Sequence, residues 1–103
     1  MKTIKEISEM IEEELEGAEN YAKNACYYKE VNPELAKTFY DISLEEMRHV
    51  DILHERVVEL IERHKRDHGE APAPMQAIYD FLHQRDIEWA TKIKLYQSQY
   101  KES

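Results

Sequence analysis

Three ionisable side chains interrupt the apolar faces of two stretches with helical periodicity. Glu14 lies in one series of apolar residues spaced by three and four, and Glu46 and His49 lie in another. A carboxylate buried alone is costly, so each one must be neutralised, paired or bound to a cation. Glu46-x-x-His49 sets a carboxylate and an imidazole about 5–6 Å apart on one helix face, where both can bind one metal ion. Oxygen-rich ligation with one imidazole per metal favours iron or manganese.

The elements that must position these residues are helices. Asn32-Pro33 is typical of a helix start, and Gly69 followed by prolines is typical of a helix end. The sequence therefore predicts an all-α fold, with a helical hairpin in residues 1–68 and a linker and third helix of the same domain in 69–103. The predicted helices cover 3–30, 33–67 and 74–100.

Each of the first two predicted helices has a seam, the stripe of residues expected to face inwards. The seam of the first is Ile4, Ile7, Ile11, Glu14, Ala18, Tyr21, Ala25 and Tyr28. The seam of the second is Leu35, Phe39, Ile42, Glu46, His49, Leu53, Arg56 or Val57, and Leu60. In an antiparallel hairpin around Asn32, Glu14 comes within about one helical turn of the level of Glu46 and His49.

The chain has only half of a di-iron ligand set. A di-iron helix bundle uses two Glu helices and two Glu-x-x-His helices, whereas this sequence has one clear example of each. We therefore expect a second copy, related by a two-fold axis, to supply the other half in an even-numbered homo-oligomer. Each residue also has an ordinary interpretation: Glu46 could pair with Arg48 or Arg56, His49 could be a core histidine, and Glu14 could be one of several exposed glutamates.

Charge and cysteine content limit the partners and the compartment. The 103 residues carry a net charge of −8, which argues against binding to nucleic acid or to an anionic membrane. The single cysteine, Cys26, is typical of a reducing compartment. No stretch has the apolar length of a signal peptide or a transmembrane helix. We expect a cytoplasmic protein, either free or enclosed in a protein compartment.

Two segments resemble helices of the ferritin-like superfamily. Glu13–Tyr21 (EELEGAENY) resembles the first helix, with the Glu14-x6-Tyr21 spacing of rubrerythrins, and Leu44–His49 (LEEMRH) resembles the second. The strongest resemblance, over roughly residues 10–60, is to the encapsulated ferritins, short chains that dimerise to complete one di-iron centre. Asn20 stands where those proteins have Trp.

This resemblance implies a ferroxidase that oxidises Fe(II) with O2 or peroxide. Glu14 and His49 of each subunit would hold one iron, and Glu46 would bridge the two. Glu13 and Glu16 would handle incoming iron, and an encapsulin-like shell is an implied partner. Tyr21, about two turns from Glu14 on the same seam, could hydrogen-bond a ligand or donate an electron.

Two other functions fit the same residues. The chain could be a non-enzymatic helical assembly module, in which the polar seam residues fix helix register. It could also hold zinc or manganese in a structural or sensing site. Metal content distinguishes an assembly module from a ferroxidase. Reaction of the ferrous protein with oxygen distinguishes a structural or sensing site from a ferroxidase.

Overall fold

The computed structural model describes residues 2–102, which form three α-helices without any β-strand. The helices are α1 (Lys2–Tyr28), α2 (Pro33–His68) and α3 (Ala73–Glu102). The predicted all-α class is confirmed, and the predicted helix ends lie close to the observed ones. Met1 and Ser103, the outer ends of the two predicted ranges, lie outside the described residues.

Local sequence signals fix the connection between α1 and α2. The Asn32 side chain accepts a hydrogen bond from the Leu35 backbone N–H at 3.2 Å, and Pro33 occupies the first helical position. Asn32 N–H also donates to the Tyr28 carbonyl at 2.8 Å, which satisfies one of the last carbonyls of α1. The turn is therefore capped on both sides and returns the chain directly along α1.

The end of α2 uses the conformational freedom of a glycine. Gly69 adopts a positive φ of 81°, which side-chain-bearing residues rarely adopt, and its N–H donates to the Lys65 carbonyl at 2.8 Å. The helix stops there, and α3 begins after a short proline-containing linker.

The three helices lie side by side in an elongated molecule of 55 × 18 × 17 Å. Helices α1 and α2 are antiparallel, since Ser43 lies against Ala18 and the later residue His49 lies against the earlier residue Glu14. Helix α3 runs parallel to α1, with Arg85 paired to Glu12 and Lys92 to Glu19. It packs on α1 much more than on α2.

The inward face of α1 keeps the predicted seam residues Ile4, Ile11, Ala18 and Ala25, whereas the inward face of α2 is rotated away from its predicted seam. The buried residues of α1 are Ile4, Ile11, Leu15, Ala18, Ala22 and Ala25, and those of α2 are Ala36, Ser43, Met47 and Val50. Predicted seam residues such as Glu14, Tyr21 and Ile42 are only partly buried, and His49 is exposed. The physical reason is α3: its buried residues Ile93 and Gln97 complete the core, and α1 and α2 turn their small and apolar residues towards them.

A buried polar relay ties the three helices together. Gln97 Nε2 on α3 donates to Ser43 Oγ on α2 at 2.9 Å, and that hydroxyl donates to the Ala18 carbonyl on α1 at 2.7 Å. Both polar side chains are buried, so each bond forms away from competing water. The relay fixes the rotation of α2 relative to its neighbours.

Candidate metal centre

The hairpin brings the Glu14 and His49 side chains together across α1 and α2. His49 Nδ1 lies 3.4 Å from Glu14 Oε2, long for a hydrogen bond between these groups. Two ligand atoms that each lie about 2.0–2.2 Å from one cation are roughly 3.0–3.5 Å apart. The observed distance between the two side chains fits a cation held by both of them. The His49 side chain is 50% exposed and that of Glu14 is 30% exposed, so a metal ion can reach both. This exposure does not fit the interpretation of His49 as a core histidine.

Glu46 is the member of the group whose carboxylate is least satisfied by hydrogen bonds. Its Oε2 atom is buried and has no hydrogen-bond partner among the described residues. Burial, and then the nearby Glu14 carboxylate, raises the pKa of the Glu46 carboxyl above its ordinary value, while His49 opposes this shift. Arg56, one of the two arginines considered as its partner, pairs instead with Glu59 at 3.1 Å. Among the described residues, neither a hydrogen bond to Oε2 nor an ion pair therefore neutralises the Glu46 carboxylate.

A glycine makes room for this carboxylate. A Cβ atom built on Gly17 would lie 2.9 Å from Glu46 Cδ and would overlap Oε2. Glycine in the middle of a helix costs roughly 0.5–1 kcal/mol relative to alanine, so its presence in α1 calls for a local reason. Accommodation of Glu46 is that reason. This role has a signal in the sequence, because Gly17 is one of only two glycines in the chain and lies inside a helical pattern.

The three side chains lie on the side of the hairpin away from α3. On α1, the residues that contact α3 include Glu12, Glu19 and Cys26, the last through a 3.3 Å contact from Sγ to the Tyr96 carbonyl. Glu14, Tyr21 and Tyr28 each follow one of these by two residues. Two residues correspond to about 200° around a helix, which is nearly the opposite side. We call this side the outer hairpin face, and it comprises Glu14, Gly17, Tyr21, Tyr28, Phe39, Ile42, Glu46 and His49.

Tyr21 lies on the same face but at another level. Its ring packs against Phe39 with 5.7 Å between centroids, and Phe39 also contacts Tyr28 at 5.9 Å. Seven residues separate Tyr21 from Glu14, which is about 10 Å along the helix axis. The structure therefore places Tyr21 in an aromatic cluster beside the acidic group, and does not bring it into contact with Glu14. Glu13 and Glu16 are exposed.

Within residues 2–102, no three His, Cys, Asp or Glu side chains are arranged as a metal site. The donor types of Glu14, Glu46 and His49 nevertheless suit a hard or borderline divalent cation, because they are two carboxylates and one imidazole. One carboxylate oxygen, Glu46 Oε2, is buried and unpartnered among the described residues. The half-exposed outer hairpin face leaves space for further ligands from outside the chain.

No family model, curated protein or solved structure matches this chain. No helix in the described part of the chain is long and apolar enough to cross a membrane. The chemistry of the outer hairpin face is therefore the ground on which a function can be assigned.

Proposed function

We propose that this chain is one half of a ferritin-like di-iron carboxylate protein that oxidises Fe(II). The observation that carries this proposal is the buried, unpartnered Oε2 of Glu46, accommodated by Gly17 beside Glu14 and His49. An ionised carboxylate in that position is unfavourable without a cation and favourable with one. Glu14 and His49 would hold one iron per chain, and Glu46 would bridge two irons.

Dimerisation through the outer hairpin face would complete the centre. The half-buried apolar residues of this face, including Phe39 and Ile42, flank the ligands and would be covered by a second copy. A two-fold axis beside Glu46 would bring a second Glu14, Glu46 and His49 to the same place, giving two Glu helices and two Glu-x-x-His helices. The α3 helices would then lie on the outside of the paired hairpins, since α3 packs on the other side of α1.

Each ligand has a defined task in the proposed reaction. When bound, two Fe(II) ions would each give up one electron. Together with two protons, these two electrons would reduce O2 to hydrogen peroxide, or would reduce one hydrogen peroxide molecule to two water molecules. The Glu46 carboxyl must be ionised to bind iron, and because burial raises its pKa, lowering the pH should oppose iron uptake. The His49 imidazole must be neutral to bind. The partner hairpin would exclude bulk water from the two carboxylates.

Iron loading tests the proposal directly. The chain is incubated with Fe(II) without oxygen, unbound metal is removed, and iron is counted against protein. We expect about one iron per chain, since two irons are shared by two chains, and none in Glu46→Ala/His49→Ala. The matched control, Glu45→Ala/His68→Ala, removes the same two residue types at exposed positions and should keep its iron.

The remaining outcomes separate the other functions. If no iron binds and Glu46→Ala/His49→Ala is as stable as the parent, the polar residues are structural and the oxidase proposal is wrong. If zinc or manganese binds in place of iron and is lost in Glu46→Ala/His49→Ala, or if bound Fe(II) does not consume oxygen, the site is a structural or sensing one. Oxygen uptake by the loaded parent, absent in the double variant, supports ferroxidase activity.

A further inference from the structure

Two histidines, one from α2 and one from α3, meet further along the bundle than Glu46 and His49. His54 of α2 and His83 of α3 approach each other with 3.3 Å between His54 Nε2 and His83 Nδ1. Their ring centroids are 5.1 Å apart and the ring planes differ by 21°. The ring planes are therefore nearly parallel, and the two nitrogen atoms are close enough for a hydrogen bond whose direction depends on the tautomers of the two rings.

The histidines line a cavity of about 300 Å³ that is bounded by all three helices. Asp86, one helical turn beyond His83, lines the same cavity, and burial raises the pKa of its carboxyl above the ordinary value while Arg85 lowers it. Two imidazoles with a partly buried carboxylate nearby form a set of donors that differs from the glutamate-rich group of the outer hairpin face. The cavity is large enough for the water molecules that would fill a metal coordination shell.

We propose that His54 and His83 form a separate metal site, within one chain, for a borderline divalent cation such as Zn²⁺. Two nitrogen ligands at about 2.0–2.1 Å from one tetrahedral Zn²⁺ lie roughly 3.3–3.4 Å apart, and the observed separation is 3.3 Å. Paired imidazoles favour zinc, copper or nickel over the hard cations that prefer carboxylates. Asp86, after a change of rotamer, or water supplies the remaining ligands.

This metal would connect the two helices that contact each other least. Helix α3 is held mainly by α1, and α2 touches it sparingly. A cation shared by His54 and His83 would clamp the middle of α2 to α3 and close one wall of the cavity. Because the folded chain alone brings the two rings together, zinc binding should stabilise the fold.

Zinc titration of the tag-free chain tests this site. The Glu46→Ala/His49→Ala variant serves as the background, so that the outcome does not depend on the proposed di-iron centre. Zn²⁺ affinity is measured by competition with a chromophoric chelator, and the melting temperature is measured with and without Zn²⁺. We expect one Zn²⁺ per chain and a higher melting temperature with zinc. His83 is exposed, so His83→Ala should fold normally, which circular dichroism checks.

His83→Ala and His64→Ala, each added to this background, give opposite expectations. Loss of a hydrogen-bond partner of a metal ligand weakens metal affinity about 10–100-fold. Loss of the ligand His83 should therefore weaken zinc binding at least tenfold, by the same principle, and remove the thermal shift. His64 packs on His68 one turn away and offers a competing pair, so His64→Ala is the matched control and should change neither. Equal zinc affinity with and without His83, or a loss in His64→Ala instead, would overturn the proposal.

Discussion

The carboxylate of Glu46 lies directly over the Cα of Gly17, where any larger residue would collide with it. This contact places a buried, unpartnered oxygen between the two helices that carry Glu14 and His49. Neither residue is at its most stable in this arrangement, since glycine weakens a helix and an unpaired carboxylate resists burial. A bound cation would offset the cost of burying the Glu46 carboxylate. The cost of a glycine within α1 arises because that carboxylate needs the space.

Gly17→Ala should displace the Glu46 carboxylate. Alanine normally stabilises a helix interior by about 0.5–1 kcal/mol. Here the new methyl group would overlap the Glu46 carboxylate, which is the far end of a flexible side chain and can turn aside. We therefore expect the free energy of unfolding, measured in urea, to rise by less than the ordinary value of about 0.5–1 kcal/mol, and metal retention to weaken because Glu46 is moved.

The control for this prediction is the double variant Gly17→Ala/Glu46→Ala. With the carboxylate gone, the alanine at position 17 should give its ordinary stabilisation, so alanine should stabilise this background more than it stabilises the parent. Additivity within about 0.5 kcal/mol would mean that Gly17 and Glu46 do not interact.

Glu46→Gln should alter the pH dependence of stability. The folded-state pKa of Glu46 is raised above its ordinary value of 4.5, so the folded chain holds this proton more tightly than the unfolded chain does. Ionised Glu46 therefore destabilises the metal-free protein above the folded-state pKa, and this penalty disappears as the pH falls through that pKa to 4.5. We expect metal-free Glu46→Gln to be more stable than the parent near neutral pH, with a difference that shrinks towards pH 4.5 in urea unfolding.

The exposed neighbour Glu45 supplies the comparison for this titration. Because Glu45 is exposed, Glu45→Gln should stay within about 0.5 kcal/mol of the parent near neutral pH. An identical pH profile for both variants would contradict the assignment of the shift to Glu46. At saturating Mn²⁺ the parent should be more stable than Glu46→Gln, since only the parent keeps the carboxylate that binds the cation.

Ile42→Arg should prevent the association of two hairpins. Ile42 lies one turn before Glu46 on the outer hairpin face, where it is half-buried in one chain and would be covered in the proposed dimer. A charge placed there would be buried without a partner on dimerisation. We expect sedimentation velocity to show even-numbered oligomers for the parent and monomers for this variant, with unchanged helical content and loss of bound iron.

Leu95→Arg provides the matched charge on another surface. Leu95 lies on α3 and is 58% exposed, so arginine there should leave association and iron content unchanged. If the parent is monomeric at every protein concentration while still binding iron, the proposal of an iron site shared by two chains is wrong.

Ser43→Ala should destabilise the chain by about 1–3 kcal/mol, because it leaves the buried Gln97 amide without its acceptor. Denaturant unfolding measures this effect. The exposed serine of α3 gives the control, since Ser98→Ala should stay within about 0.5 kcal/mol of the parent. Ser43→Ala/Gln97→Met removes both polar partners and should recover much of the lost stability; failure to recover would show that the relay contributes through packing alone.

The elements of this fold were predictable because their signals are local. Asn32-Pro33 and Gly69 mark helix ends through their own backbone and side-chain hydrogen bonds, and the structure has these bonds. Periodicity likewise placed Glu14 near the level of Glu46 and His49. Each of these inferences needed only neighbouring residues or the geometry of one hairpin.

The rotation of the helices was not predictable in the same way. Periodicity identified an apolar stripe on each helix, but the buried stripe of α2 contains Ser43 and Met47, whereas Ile42 and Glu46 lie at its edge. The choice between adjacent stripes depends on Gln97, which is 54 residues away from Ser43 in sequence. The pairing of His54 with His83 escaped prediction for the same reason, since it exists only once α3 has packed.

The capped turn at Asn32 also bears on the order in which the chain folds. It closes a very short loop, so α1 and α2 can meet at little cost in chain entropy, whereas α3 must wait for a surface on which to dock. We therefore expect the hairpin to be the folding nucleus, with the Ser43 hydroxyl bonded to the Ala18 carbonyl before the Gln97 amide of α3 joins them. The same nucleus would display Glu14, Glu46 and His49, so a cation could bind while the last third of the chain is still unfolded.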